Sequence, residues 1–469
     1  MRSLLAHSRL WILLVAVALA IAACADDAED VTDEGPDDED VEEPEDEEPD
    51  DEEPDEDAVD DEPEEDTGIE GEAVSIMTPF ADDEEQANFL STIEPWAEEH
   101  GVEVEHEGSD DFETLINTRV EGGNPPDIAL FPQPGLMRDM ADAGDMRDLD
   151  EVLDLDAVED SLIEGTLDDG TYEDEVVGLM YRLNLKSLVW YPVPEFEEAG
   201  YSAPETWDEL EDLTAQMVDD GNVPWCIGIE SSGATGWPAT DWVEDIMLRT
   251  AGLEATDAWV EGELEFASDE VRGAFEHFED ITGGFSDEYV LGGNTGMVTT
   301  NFGDSSEPMF EDPPACYMHR QAQFIQGFFP EEVQENPEEH VDFFPFPPID
   351  EEHGNPALTA GDIASLFTDN PAAEELVQHM ATAEAGEPWA EAGGFLSAHE
   401  GFDTSLYPTD IEQRQGEFLT EASFARFDPS DDMPAEVGTG AFWTEIVDWI
   451  AGETDLDSAV EGIDESFPE

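Results

Sequence analysis

Trp237, Asp241 and Trp242 set two broad aromatic side chains and a carboxylate within one short stretch. The loop 231–238 carries Gly233, Gly236 and Pro238, which allow Trp237 to project, and Asp241 follows near a helix start. Aromatic faces beside a directional hydrogen-bonding group suit non-covalent recognition of a polar molecule. Two roles are open to Trp242: ligand wall, or core of the helix it enters. Arg320 stands beside His319 and is one of twelve Lys and Arg residues; it either pairs with a carboxylate or donates to a ligand. Asp362, after Gly361 in an apolar run, either accepts from a ligand or caps a turn. Covalent chemistry has less support. The nine histidines are scattered, CxxC, HExxH and GxSxG are absent, and no metal constellation is present. Carboxylates about 5–5.5 or about 6.5–9.5 Å apart could hydrolyse a glycoside, but among 127 acidic residues such a pair can arise by chance. The expectation is a binding protein that is not an enzyme and needs no metal or cofactor.

The elements that must position these residues read as α/β. Ala73 to Met77 is a buried strand, followed by a turn at Thr78-Pro79. A helix is predicted from about Asp83 to His100, with Phe89, Leu90, Ile93 and Trp96 at helical spacing. Val102 to Val104 alternates as a strand, 111–120 returns to helix, and Asp127 to Phe131 is a short apolar strand. This order predicts parallel βαβ units with right-handed crossovers. Ligands in open α/β sheets lie beyond the carboxyl ends of strands, which makes Phe80, Phe131 and Gln133 candidate ligand residues. Helical patterns dominate from about 185 to 345, including 206–218 and 241–252. Val341 to Pro348 reads as a strand whose prolines stiffen a crossing between lobes, and 359–367 reads as another buried strand. Helices at 371–384, 410–421 and 441–451 finish the chain. About 395 residues of this kind imply two lobes.

The chain opens with Arg2 and Arg9 ahead of an uncharged apolar run from Leu10 to Ala23. That run is shorter than the ~20 residues of a membrane-spanning helix, and the pattern is that of a secretory signal, 1–24. Ile21-Ala22-Ala23-Cys24 resembles the bacterial lipobox, which implies lipidation of Cys24 and a mature protein anchored on the extracytoplasmic face of the plasma membrane. Residues 25–72 hold 31 of the 127 acidic side chains, punctuated by Pro44, Pro49, Pro54 and Pro63. They have little to bury and repel one another, so a disordered tether is expected. They lack the ligand spacing of a calcium loop. Beyond the tether 96 acidic residues stand against ten basic ones, and Lys186 is the single lysine of the chain. Such a surface suits a salty medium and makes nucleic acid or anionic lipid headgroups poor partners. With Cys24 lipidated, Cys226 and Cys316 remain, either as one disulfide or as two buried thiols.

A family resemblance rests on three pieces: Asn184 to Pro192; Glu195, Phe196, Ala199, Gly200 and Tyr201; and Pro204-Glu205-Thr206-Trp207-Asp208-Glu209-Leu210. Together they resemble the extracellular sugar-binding proteins of bacterial ABC importers. Pro224 to Ser231 and Gly233 to Trp242 are similar to the α-glucoside-binding branch, as are Tyr289 to Gly293, Asn301 to Asp304, His319-Arg320-Gln321 and Gly393 to Ser397. The resemblance covers nearly everything from residue 73 onward. It implies a periplasmic-binding-protein-like fold, with a ligand cleft between two α/β lobes joined by crossing segments. Lobe 1 would take approximately 73–183 plus 349–400, and lobe 2 approximately 184–348 plus the C-terminal helices. The implied function is capture of an α-glucoside of the maltose, trehalose or sucrose type by a monomer, for delivery to a membrane permease. Another sugar or small polar solute is the alternative, ahead of a glycoside-acting enzyme or an adhesion lipoprotein. Within the family, Phe131 and Gln133 correspond to a stacking aromatic and its polar partner. Trp389, just before the loop containing Gly393, Gly394 and Phe395, corresponds to a further stacking ring, and Phe395 is a candidate ligand residue with it. Packing roles are equally open to Phe131 and Trp389. The chain departs from the family mainly in its surface charge.

That charge has a measurable consequence. Screening shortens the Debye length from ~30 Å at 0.01 M to ~3 Å at 1 M salt, and the compact state, with its charges closer together, gains more than the unfolded chain. The thermal midpoint should therefore rise steeply with sodium chloride, both in the full mature chain and in a version beginning at Glu72. A shortened version indifferent to salt would confine the effect to the tether.

Overall fold

The computed structural model describes residues 68–468, except 164 and 174. The expected signal 1–24, Cys24 included, and nearly all of the expected tether 25–72 lie outside the described residues. Packing begins slightly before the expected start at 73. Ile69 is an apolar side chain with a core to enter and is buried, while the Gly71 N–H donates to the Gly101 carbonyl.

Three parallel strands form the first half: β1 (Ala73–Thr78), β2 (Glu103–Gly108) and β3 (Ile128–Phe131), with β1 in the centre. Helices α1 (Asp83–His100) and α2 (Phe112–Glu121) make the crossovers. Asp82 caps α1 by accepting from the Glu84 N–H, and Gly101 closes it in the left-handed conformation. All four residues of β3 are buried, as expected of a central strand covered on both faces. Helix α3 (Pro134–Ala143) follows the Gln133 loop.

Strand β4 (Leu179–Leu185) is fully buried. After only Lys186 and Ser187 the chain enters β5 (Leu188–Pro192), which belongs to a different sheet. The second half that β5 opens is mainly helical. Helices α4 (Trp207–Asp220), α5 (Trp237–Thr250) and α6 (Asp269–Ile281) surround a core that includes Trp225, Trp242, Trp259 and Phe278. A small antiparallel sheet completes it, with β5 between β6 (His319–Arg320) and β7 (Val341–Pro345). Cys226 and Cys316 are paired as a disulfide, closing a span of 90 residues in sequence.

The chain then returns to the first sheet. Strand β8 (Ala357–Leu366) runs antiparallel to both β3 and β4, and β9 (Ala425–Phe427) pairs parallel with its beginning. The last crossing comes at Asp428, followed by the short helix α7 (Pro429–Asp432) and by α8 (Trp443–Ala451). Two boundaries therefore differ from expectation. The first crossing is at 186–187 rather than 183–184, because Asn184 and Leu185 still pair with β8. The third comes after 427 rather than near 400, because Ile411 and Phe418 of the 410–421 helix pack on the first core and β9 extends the first sheet.

Lys186 and Ser187 tie the three crossings together. The Lys186 N–H donates to the Leu358 carbonyl, and the Ser187 carbonyl accepts from the Phe346 N–H. Ser187 Oγ accepts from the Leu358 N–H and donates to Asp245. Lys186 Nζ reaches Asp241 Oδ1 on α5 at 2.8 Å and also donates to Asp428 at the third crossing. Removing the cation from such a buried set leaves carboxylates uncompensated, at a typical cost of about 3–5 kcal/mol. Lys186→Met should lower the unfolding free energy by about that amount in denaturant titrations. A loss under about 1 kcal/mol, the range of exposed pairs, would remove Lys186 from the structural centre.

Candidate ligand-binding site

A cavity of about 470 Å³ opens between the two halves. Its first wall comes from the loops after β1 and β3, with Phe80 and Gln133, and from the start of α2. The facing wall comes from Trp237, Phe302, Phe324 and Trp443, while Asn184, Lys186 and Asp431 lie where the crossings pass. A neighbouring recess of about 330 Å³ shares Asp82, Glu85, Arg182, Phe324 and Phe328 with the main cavity and adds Trp389 and Glu412. The two make one elongated cleft. Its size falls within the range of small-molecule sites.

Trp237 is half-buried at the N-terminal end of α5. Gly236 precedes it with φ 122°, and a Cβ there would lie 2.6 Å from the Trp443 carbonyl oxygen, so only glycine permits this close approach. The Trp237 ring meets the ring of Phe302 edge-on at 5.1 Å, and Lys186 Nζ lies 5.2 Å from its centroid. On the other wall, the Arg182 guanidinium lies 4.3 Å from the Trp389 ring centroid and 4.9 Å from that of Phe80. Arg182 Nε donates to Asp362 Oδ2 at 2.6 Å, and Glu85 stands 3.6 Å from the same guanidinium. Burial pushes Glu85 up to about 7, against the pull of Arg182. Burial likewise raises Glu113, which accepts from Gln133 Nε2 at 2.8 Å.

The structure brings Phe80, Gln133, Trp237 and Asp362 to the main cavity and Trp389 to the adjoining recess. Five other candidates lie elsewhere. Phe131 is still within β3, buried against Phe112 and Phe367, and the loop begins only after it. Trp242 is core, stacked on Phe278 at 5.1 Å and set edge-on to Trp225 at 4.9 Å. Asp241 and Arg320 are buried partners of one another, at 3.3 Å, and the arginine's second partner is Asp245, at 3.0 Å. Phe395 supports the recess from behind, packed on Trp389 and Tyr181. Asp362 lines the cleft, but its carboxylate is engaged by Arg182.

Arg182, Glu85, Phe302, Phe324, Asp431 and Trp443 are cleft residues that sequence reasoning missed. Arg182 had a signal: a cation inside a mostly apolar strand marks a buried ionic contact. Phe302 lies inside the 301–304 stretch already tied to the family. Among the described residues, the one close group of three metal-competent side chains is Asp241, Glu244 and Asp428. Lys186 already donates to two of the three.

Comparison with known proteins agrees with this geometry. Residues 82–387 match the model of the bacterial extracellular solute-binding protein family. The osmoprotective compounds-binding protein GgtB of Synechocystis sp. is 42% identical over 385 residues, covering 82% of this chain and 90% of that one. The alpha-glucosides-binding periplasmic protein AglE of Rhizobium meliloti is 40% identical over 403 residues, covering 83% and 86%. Among solved structures, the bacterial solute receptor AcbH superposes with a TM-score of 0.73 at 18% identity, covering 84% of this chain and 98% of that one, and shows the same two-lobed fold. Cleft, fold and relatives converge: the chain belongs to the bacterial extracellular solute-binding proteins, which work on the extracytoplasmic side as the solute-capturing partners of ABC importers.

Proposed function

We propose that this chain captures an α-glucoside of the maltose, trehalose or sucrose type without changing it and delivers it to the permease of an ABC importer. The observation that carries the reading is a cleft whose facing walls each offer an aromatic ring, Trp237 on one and Phe80 on the other, with carboxylates between them. Pyranose rings present C–H faces to such aromatics and hydroxyls to such acceptors. The name of AglE supports the α-glucoside class, and that of GgtB favours a second reading, an osmoprotective solute. Lipidation at Cys24, an acidic tether and a monomeric receptor complete the proposal.

Calorimetric titration with maltose, trehalose and sucrose in molar salt is the direct test: at least one should bind and be recovered intact. Silence across all three would move the assignment to another solute. Trp237→Ala should weaken the binding sugar by about 1–3 kcal/mol, as for buried aromatic anchors. An unchanged affinity in a folded variant would make Trp237 purely structural.

A further inference from the structure

Eight charged side chains are buried together where the crossings meet: Lys186, Arg249 and Arg320 with Asp241, Glu244, Asp245, Asp428 and Asp431. None exceeds 5% exposure. Three cations leave two of the five carboxyls without compensation. The ion pairs identify which two. Asp241 is held by Lys186 and Arg320, Asp245 by Arg249 and Arg320, and Asp428 by Lys186. Glu244 forms no ion pair among the described residues, and Asp431 has only Lys186, at 3.8 Å. Glu244 Oε2 and Asp431 Oδ1 are both buried without a hydrogen-bond partner. A buried carboxyl in that position holds its proton to higher pH than an exposed one. Burial and the neighbouring Asp428 charge hold both groups well above the usual carboxylate range.

The two differ in place. Glu244 lies within α5, whereas Asp431 lines the cleft. We propose that Asp431 is a solute-facing specificity residue, a carboxylic acid that is neutral when the cleft is filled, and that solute binding draws a proton onto it from solvent. The proposal rests on the cleft being the solute site, as argued above. A solute covering Asp431 removes the water that would stabilise its charged form. The neutral group then supplies an O–H donor in a cleft otherwise crowded with acceptors.

The surroundings set the balance. Lys186, from the first crossing, favours the charged form of Asp431; Asp428, Asp241 of α5 and Glu113 of α2 oppose it. Around Asp432, on the same short helix, Arg138 and Arg426 pair with the carboxylate, Asp257 pairs with Arg426, and Asp169 feels both arginines. Asp139 and Glu436, on neighbouring elements, are exposed.

The test is calorimetry with maltose, trehalose and sucrose between about pH 5 and about pH 9, in two buffers of different ionisation heat. Binding should take up a proton, and affinity should fall with rising pH, by up to about tenfold per unit where Asp431 is ionised when free and protonated when covered. Asp431→Asn should abolish the uptake and flatten the profile, while Glu244→Gln should keep both. Affinity that is flat or rises with pH, or an Asn variant with the original uptake, overturns the proposal.

If none of the three sugars binds, the α-glucoside reading falls but Asp431 remains testable without ligand. A group whose folded pKa is raised stabilises below its unfolded pKa and loses that contribution as pH rises. The thermal midpoint should therefore fall more steeply with pH in the unsubstituted chain than in Asp431→Asn. Parallel curves overturn the assignment.

Discussion

One ammonium group holds the two halves in register. Lys186 Nζ reaches a helix of the second lobe through Asp241 and the last crossing through Asp428, while its own backbone is bonded to β8. Arg249 completes the joint by donating to the carbonyls of Phe346, Pro347 and Pro356 in the second crossing. All this lies out of water, where an unpaired charge is costly and a paired one is directional. The cleft walls depend on that joint, because Trp237 starts the helix that carries Asp241 and Asp431 follows Asp428 by three residues.

Much of the first lobe was legible in the sequence because periodicity there is simple. β1 and β3 are short apolar runs, α1 carries its apolar residues at helical spacing, and the parallel order follows from alternation. Trp237 was legible through the glycines that free it. Asp241, Trp242 and Arg320 were not, because a carboxylate, an indole and a guanidinium suit a ligand and a buried joint equally well. Helix α5 also gives no periodic cue: every residue from Pro238 to Arg249 is buried, so no solvent face separates core from cleft. The late third crossing was hidden by the brevity of β9, only three residues long.

The distribution of positive charge completes the picture. Each of the ten basic residues after residue 72 forms an ion pair with a carboxylate. Four of them, Arg182, Lys186, Arg249 and Arg320, are buried at the cleft or the joint. Positive charge is thus concentrated where the architecture needs a counter-ion, and the outer surface is dominated by one sign. Solvent cations, rather than side chains, must screen that surface.

The threading of the chain also dictates an order of assembly. β3 is bordered by β8, with Ile363 opposite Phe131, and β8 is in turn bordered by β9 near the end of the chain. A polypeptide emerging N-terminus first can pair β1, β2 and β3 early, yet the outer edge of β3 stays open until Leu366 has appeared. By contrast, β5, β7 and the disulfide all fall within one continuous span, 188–345, which can close first. The second core is nonetheless finished last, because Phe442, Ile446, Trp449 and Ile463 near the end of the chain belong to it, and the open edge of β3 is the interval most exposed to misassembly.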